Sequence, residues 1–149
     1  DALFKKLNGI KGKEYYVPHQ FRFDKLDVEL DLFDSPGFIQ FIREVSGIKT
    51  NGVKLNIKRF GHRDFTLLHD DVDDSARFVF FYIVAGSWKS EWGGSSIFTF
   101  GDESEPIIFE PKANTLALVK VPKGLRDFVK YVKHFAGKND LIKIEGIFF

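Results

Sequence analysis

The chain has 149 residues, 44% hydrophobic and 29% charged, with a net charge of +1, which suits one packed globular domain rather than a disordered or fibrous chain. So balanced a charge makes no electrostatic case for a nucleic-acid or membrane partner, and the longest apolar run, residues 78–86, is too short to span a bilayer. With no cysteine there is no disulfide framework, thiolate nucleophile or cysteine-ligated metal, which fits a cytoplasmic protein.

No signal-peptide pattern opens the chain, and the lack of any methionine, an initiator included, raises the expectation of a natural start upstream of Asp1. Residues 1–14, of mixed polarity, predict a short helix or an unanchored start. Residues 15–17 and 20–23 read as strand pieces around Pro18, and residues 26–32 alternate strictly, as in a half-exposed strand. Ser35-Pro36 starts a helix, with Ser35 as N-cap and Pro36 in the first turn. Phe38, Ile39, Phe41, Ile42 and Val45 follow at helical spacing, and Gly47 ends it.

From Val53 the pattern turns to β. Strands are predicted over 53–60, 65–68, 77–84, 95–100, 106–109, 115–121 and 141–149, separated by Gly, Asp, Ser and Pro clusters. Residues 128–135 fit a helical turn or a strand equally well. About eight strands with one or two leading helices imply a mainly β single domain over residues 1–149, a sandwich or jelly-roll barrel with the helices outside.

The run from Phe65 to Asp74 holds the chemistry. Leu67 and Leu68 give way to His69, Asp70, Asp71, Asp73 and Asp74. His69 and Asp71 are two apart, so on an extended backbone they share a face. An imidazole and a carboxylate so placed supply two ligands of a facial-triad iron site, whereas an acidic turn with His69 satisfied by a neighbouring carboxylate is the plainer alternative. His19 and His62 have no carboxylate at ligand spacing and read as structural or exposed. Motifs for phosphate cradles, dinucleotide binding or a nucleophile elbow are absent, as is a basic stripe interleaved with aromatics.

From residue 58 onward the order of features resembles the iron(II)/2-oxoglutarate dioxygenases, within them the prolyl hydroxylases that modify a ribosomal protein. The resemblance runs through Leu68-His69-Asp70-Asp71, Arg77 and its aromatic strand, Trp88, Gly93-Gly94, Pro111, Asn114, and a last strand carrying Gly146. It implies a double-stranded β-helix (jelly-roll) barrel with N-terminal packing helices. It also implies Fe(II) and 2-oxoglutarate as cofactors and a protein substrate. His69 and Asp71 fall on the first two iron ligands. Counting without gaps from Asn114, the distal histidine falls on Asp127; a slipped register would use His134 instead. The basic anchor for the co-substrate falls on Leu141, and an upstream tyrosine on Phe60.

Two substitutes are chemically reasonable. Asp127 is an oxygen donor, giving a one-histidine, two-carboxylate site that favours a hard ion such as Mn²⁺ or Mg²⁺. Lys143, two residues past Leu141 and on its strand face, supplies a cofactor-binding point charge without bidentate geometry. Against this, Lys143 and Glu145 simply pair inside the barrel, His134 lies in an exposed Lys-rich turn, and Arg77 pairs with the acidic loop instead of contacting substrate. Three functions follow: an oxygenase hydroxylating a prolyl or other protein side chain, a degenerate barrel kept as a binding module, or a metal-binding barrel of different chemistry.

Overall fold

A computed structural model describes residues 2–49, 52–69, 75–101 and 104–149. The elements are α1 (Ala2–Asn8), β1 (Lys13–Val17), β2 (Phe21–Lys25), α2 (Asp31–Asp34), α3 (Pro36–Ser46), β3 (Val53–Phe60), β4 (Phe65–Thr66), β5 (Phe78–Val84), β6 (Ser96–Thr99), β7 (Ile107–Phe109), β8 (Thr115–Lys120), β9 (Arg126–Val129) and β10 (Leu141–Phe148). Short 3-10 turns occupy Ser90–Trp92 and His134–Ala136. The large sheet runs β1-β2-β3-β10-β5-β8, with β4 on the side of β2; the small sheet runs β7-β6-β9.

Strand β10 is the axis of the fold. It lies antiparallel between β3 and β5, and all eight of its residues are buried because both faces are covered. Alternation divides its side chains between two layers. Ile142, Ile144 and Phe148 join Phe80, Ile57 and Val84 on the outer face, where Leu7, Phe33 and Ile42 of the three helices cover them. On the inner face Ile147 packs with Val79, Phe81 and Phe98, while Leu141 packs with Phe60, Ile83, Val129 and Val132. The small sheet closes over that face. Lys143 and Glu145 lie between these two apolar clusters on the same face.

Helix α3 forms as its punctuation predicts. The Ser35 hydroxyl accepts from the Phe38 N–H at 3.2 Å, Pro36 occupies the first turn, and Gly47 ends the helix at φ 70° with its N–H on the Arg43 carbonyl. Gly146 is fixed by packing rather than by torsion, since a Cβ there would overlap the Phe80 ring. Gly93, at φ 90°, turns the chain so closely past Tyr131 that a side chain would meet that residue's carbonyl.

Three expectations change. Residues 26–32 are not a strand: the Leu26 N–H reaches the Ile57 carbonyl, residues 26–30 belong to no ladder, and Asp31 opens α2. The alternation there reports one buried face, with Leu26 and Leu30 packed under the helices instead of into a ladder. Residues 126–129 form β9, resolving the ambiguous stretch as a strand followed by an irregular segment and a 3-10 turn. The strand at 65–68 shortens to Phe65–Thr66, opposite Arg22 and Phe21, and one further bond, from the Leu67 N–H to the Gln20 carbonyl, follows it. Among the described residues no helix is long and apolar enough to cross a membrane.

Candidate functional site

His69 is brought to the barrel by β4. The Thr66 hydroxyl accepts from the Val129 N–H at 2.8 Å in a buried contact, fixing β4 to β9. Three residues past Thr66, His69 and Asp127 exchange both backbone hydrogen bonds, each 3.1 Å. Directly opposed residues in such a pair hold their side chains on one side, and here Nε2 of His69 stands 3.7 Å from Oδ1 of Asp127. Nδ1 of His69 lies 2.7 Å from the Leu67 carbonyl; that oxygen only accepts, so Nδ1 carries the proton and Nε2 is directed at the carboxylate.

Lys143 extends the cluster inward. Its ammonium is 3.7 Å from Oδ2 of Asp127, 3.4 Å from Oε2 of Glu145, and 4.8 Å from the centre of the Phe81 ring. Lys143 is 2% exposed and Glu145 6%. Burying two carboxylates and one ammonium is tolerable only as a mutually compensating set. The residues therefore form a chain of contacts, His69–Asp127–Lys143–Glu145, running from the rim into the interior.

The two distal candidates lie in different surroundings. Asp127 stands against His69, whereas His134 lies in its 3-10 turn against Phe135 and 6.5 Å from the His62 ring. Asp71, with Asp70, Asp73 and Asp74, lies outside the described residues. Arg77 is exposed just before β5, four residues before Phe81 and so about 13 Å along the chain from it; the acidic loop expected to pair with it lies outside the described residues, and among those described it makes no ion pair. Lys143 and Glu145 do pair inside the barrel. Sequence reading missed that Lys143 rests on Phe81 and Phe98 and lies directly opposite Lys58. The alternation of β3 against β10 was the signal available for the second.

The donor set answers differently for a metal and for a dicarboxylate. Two ligands about 2.1 Å from one ion stand roughly 3–3.6 Å apart, so the His69–Asp127 pair needs only a small adjustment to share a divalent cation. Among the described residues, no group of three or more side chains is arranged to hold a metal. A dicarboxylate fits worse. The positions where the resemblance places its contacts are Phe60 and Leu141, 0% and 1% exposed, packed with Val129 and Val132. Lys143 is already engaged by two carboxylates, and Glu145 would repel an incoming anion.

Comparison with known proteins gives a consistent picture. The family model described as "Oxoglutarate and iron-dependent oxygenase degradation C-term" matches residues 13–148. The prolyl 3-hydroxylase OGFOD1 of Mus musculus is 32% identical over 80 residues, covering 52% of this chain and 15% of that protein. The prolyl 3,4-dihydroxylase OGFOD1 of Ostreococcus tauri is 31% identical over 124 residues, covering 68% of this chain and 24% of that protein. The chain thus spans less than a quarter of the length of either curated relative. A 2OG-Fe(II) oxygenase-family oxidoreductase from Burkholderia pseudomallei superposes with a TM-score of 0.74 at 13% identity, covering 99% of this chain and 76% of that one. A prolyl-4-hydroxylase from Pseudomonas putida gives 0.70 at 12% identity, covering 99% and 82%. At such identities the superpositions establish the double-stranded β-helix fold.

Proposed function

Because the chain belongs to the family of oxoglutarate and iron-dependent oxygenase degradation C-terminal domains, we propose that it serves a prolyl-hydroxylase-type protein as an oxygenase-like barrel with an altered interior site. By family and fold it is 2-oxoglutarate/Fe(II) oxygenase-like. The names of its relatives support a protein hydroxylase as the setting. In this reading His69 and Asp127, with Asp71 by sequence, hold a cation at the barrel rim, and the barrel takes up no 2-oxoglutarate of its own. Arg77 would then meet a protein partner only outside the barrel.

The carrying observation is the filled interior: Phe60, Leu141, Val129 and Val132 occupy the end of the barrel that a co-substrate would need. Buried apolar side chains at those positions offer a dicarboxylate neither a charge nor a hydrogen bond. One observation favours the alternative of a complete oxygenase centre, namely the orientation of the His69 imidazole toward Asp127.

Anaerobic titration with Fe²⁺ and Mn²⁺, then 2-oxoglutarate, separates the two. It would be run on the wild type, His69→Ala and Asp127→Ala. The altered-site reading expects weak metal binding that either substitution removes and that 2-oxoglutarate leaves unchanged. Metal binding tightened by 2-oxoglutarate, with the absorption band of an iron chelate, would establish the complete centre instead.

A further inference from the structure

The inner face of the large sheet carries lysines in one cross-strand row. Lys13 of β1 is the partner of Lys25 of β2, Lys25 of Lys58 of β3, and Lys58 of Lys143 of β10. Four adjacent strands thus place a cation at the same register, on the same face, at intervals of about 4.8 Å. Exposure falls along the row: Lys13 and Lys25 are exposed, Lys58 is 9% exposed and Lys143 2%.

At its buried end Lys143 is held by Asp127 and Glu145; at the exposed end Lys13 and Lys25 are like charges directly opposite one another, an arrangement that adds nothing to the ladder. The opposite face of the same strands shows that acidic partners were within reach. There Arg22 pairs with Glu14 and Asp64, and Arg59 with Asp24. Lys13 and Lys25 instead rest over the Tyr15 ring, 5.5 and 6.0 Å from its centre, and among the described residues neither is in an ion pair. Lys58 sits 5.3 Å over Phe23.

The surface beside the row is shaped to receive a chain. Tyr15, Phe23, Lys25, Asn56 and Lys58 line a cavity of about 170 Å³. Across Phe23 a second cavity of about 390 Å³ continues past Phe21, Leu67 and Leu68 to His69. Leu67 and Leu68 are 52% and 48% exposed. Cations at one end and apolar side chains at the other ask for carboxylates followed by small apolar groups.

We propose that this groove binds an extended acidic polypeptide segment, its carboxylates on Lys13 and Lys25 and its apolar side chains along Leu67 and Leu68. A single-stranded nucleic acid fits less well. Stacking needs open ring faces, and Tyr15 already carries two ammonium groups and lies parallel to Phe23 at 5.8 Å. The groove reaches His69 only at its far end, and the contacts of a carboxylate with Lys13 and Lys25 need no metal.

The test is fluorescence anisotropy of a labelled peptide of alternating Glu and Ala. It is titrated with the wild-type chain, with Lys13→Gln/Lys25→Gln, and with Lys120→Gln/Lys123→Gln as a control in exposed lysines elsewhere. The expected result is saturable binding that weakens with added salt and drops about tenfold in Lys13→Gln/Lys25→Gln, with the control unchanged. All three proteins should melt at the same temperature, because the substituted lysines are exposed. Absence of saturable binding, survival of binding in Lys13→Gln/Lys25→Gln, or an equal loss in the control would overturn the proposal. So would tighter binding of single-stranded oligoadenylate at the same lysines.

Discussion

Phe60 and Leu141 are direct cross-strand partners on β3 and β10, and both are buried. They are also the two positions where the oxygenase resemblance calls for a tyrosine and an arginine. The two departures therefore meet at one place in the barrel: polar groups are exchanged for a continuous apolar contact with Val129 and Val132. Loss of one polar contact would leave the other stranded in an apolar site, at a cost of about 1–3 kcal/mol. Losing both together avoids that cost.

Reintroducing the arginine is accordingly expected to unfold the chain rather than to rescue a site. Leu141→Arg puts an unpaired charge at a position 1% exposed and should cost about 3 kcal/mol or more. Urea unfolding measures the loss. Phe60→Tyr/Leu141→Arg should show no 2-oxoglutarate binding by calorimetry; a measurable affinity would mean that the interior is preserved and only two side chains separate it from a co-substrate site.

The Lys143 cation is expected to be essential to the barrel at neutral pH. Lys143→Met leaves Asp127 and Glu145 without their shared partner and should destabilise the fold by about 3–5 kcal/mol. Adding Asp127→Asn and Glu145→Gln removes the two carboxylate charges as well, and the triple variant should recover most of the loss in the same urea experiment.

Asp64 gives the fold a titration of its own. Burial pushes its carboxyl up to about 6, against the pull of the Gly61 N–H and Arg22, with Asp24 and Asp140 adding to the rise. A carboxyl that binds its proton more tightly in the folded state favours folding when protonated, so this contribution declines as pH rises from about 3.8 to about 6. Asp64→Asn keeps an acceptor for Gly61 and removes the titration. Its unfolding free energy should vary less than that of the wild type across that window, measured by urea unfolding at several pH values.

Gly146→Ala tests the packing of the central strand. The new methyl group must displace the fully buried Phe80 ring, and overpacking of this kind costs about 1–3 kcal/mol. A combined Gly146→Ala/Phe80→Leu variant frees space at that contact and should be less destabilised than the sum of the two single substitutions, in a double-mutant cycle read by thermal melting.

Much of this was legible in the chain. The cap, proline and closing glycine of α3 stood in the sequence because they act over a few residues, and the alternation of β10 gave its two faces. The opposition of His69 and Asp127 followed from counting along a resemblance, since nothing local marks Asp127 as their meeting point. The lysine row was invisible for the same reason that it exists: Lys25, Lys58 and Lys143 become neighbours only through strand register, which single-strand periodicity does not encode. Residues 26–32 misled because alternation records which side chains are buried, not whether a ladder forms beside them.

The place of β10 also governs how the molecule can come into being. The two strands it joins, β3 and β5, are both made well before it, yet neither has the other as a neighbour in the sheet. Until residues 141–148 are present, the earlier segments have helices and hairpins but no continuous sheet. Assembly must therefore wait on contacts between distant parts of the sequence, the situation in which loop closure makes folding slow. During synthesis, the facing edges of β3 and β5 have no strand between them until that later segment arrives to pair with both.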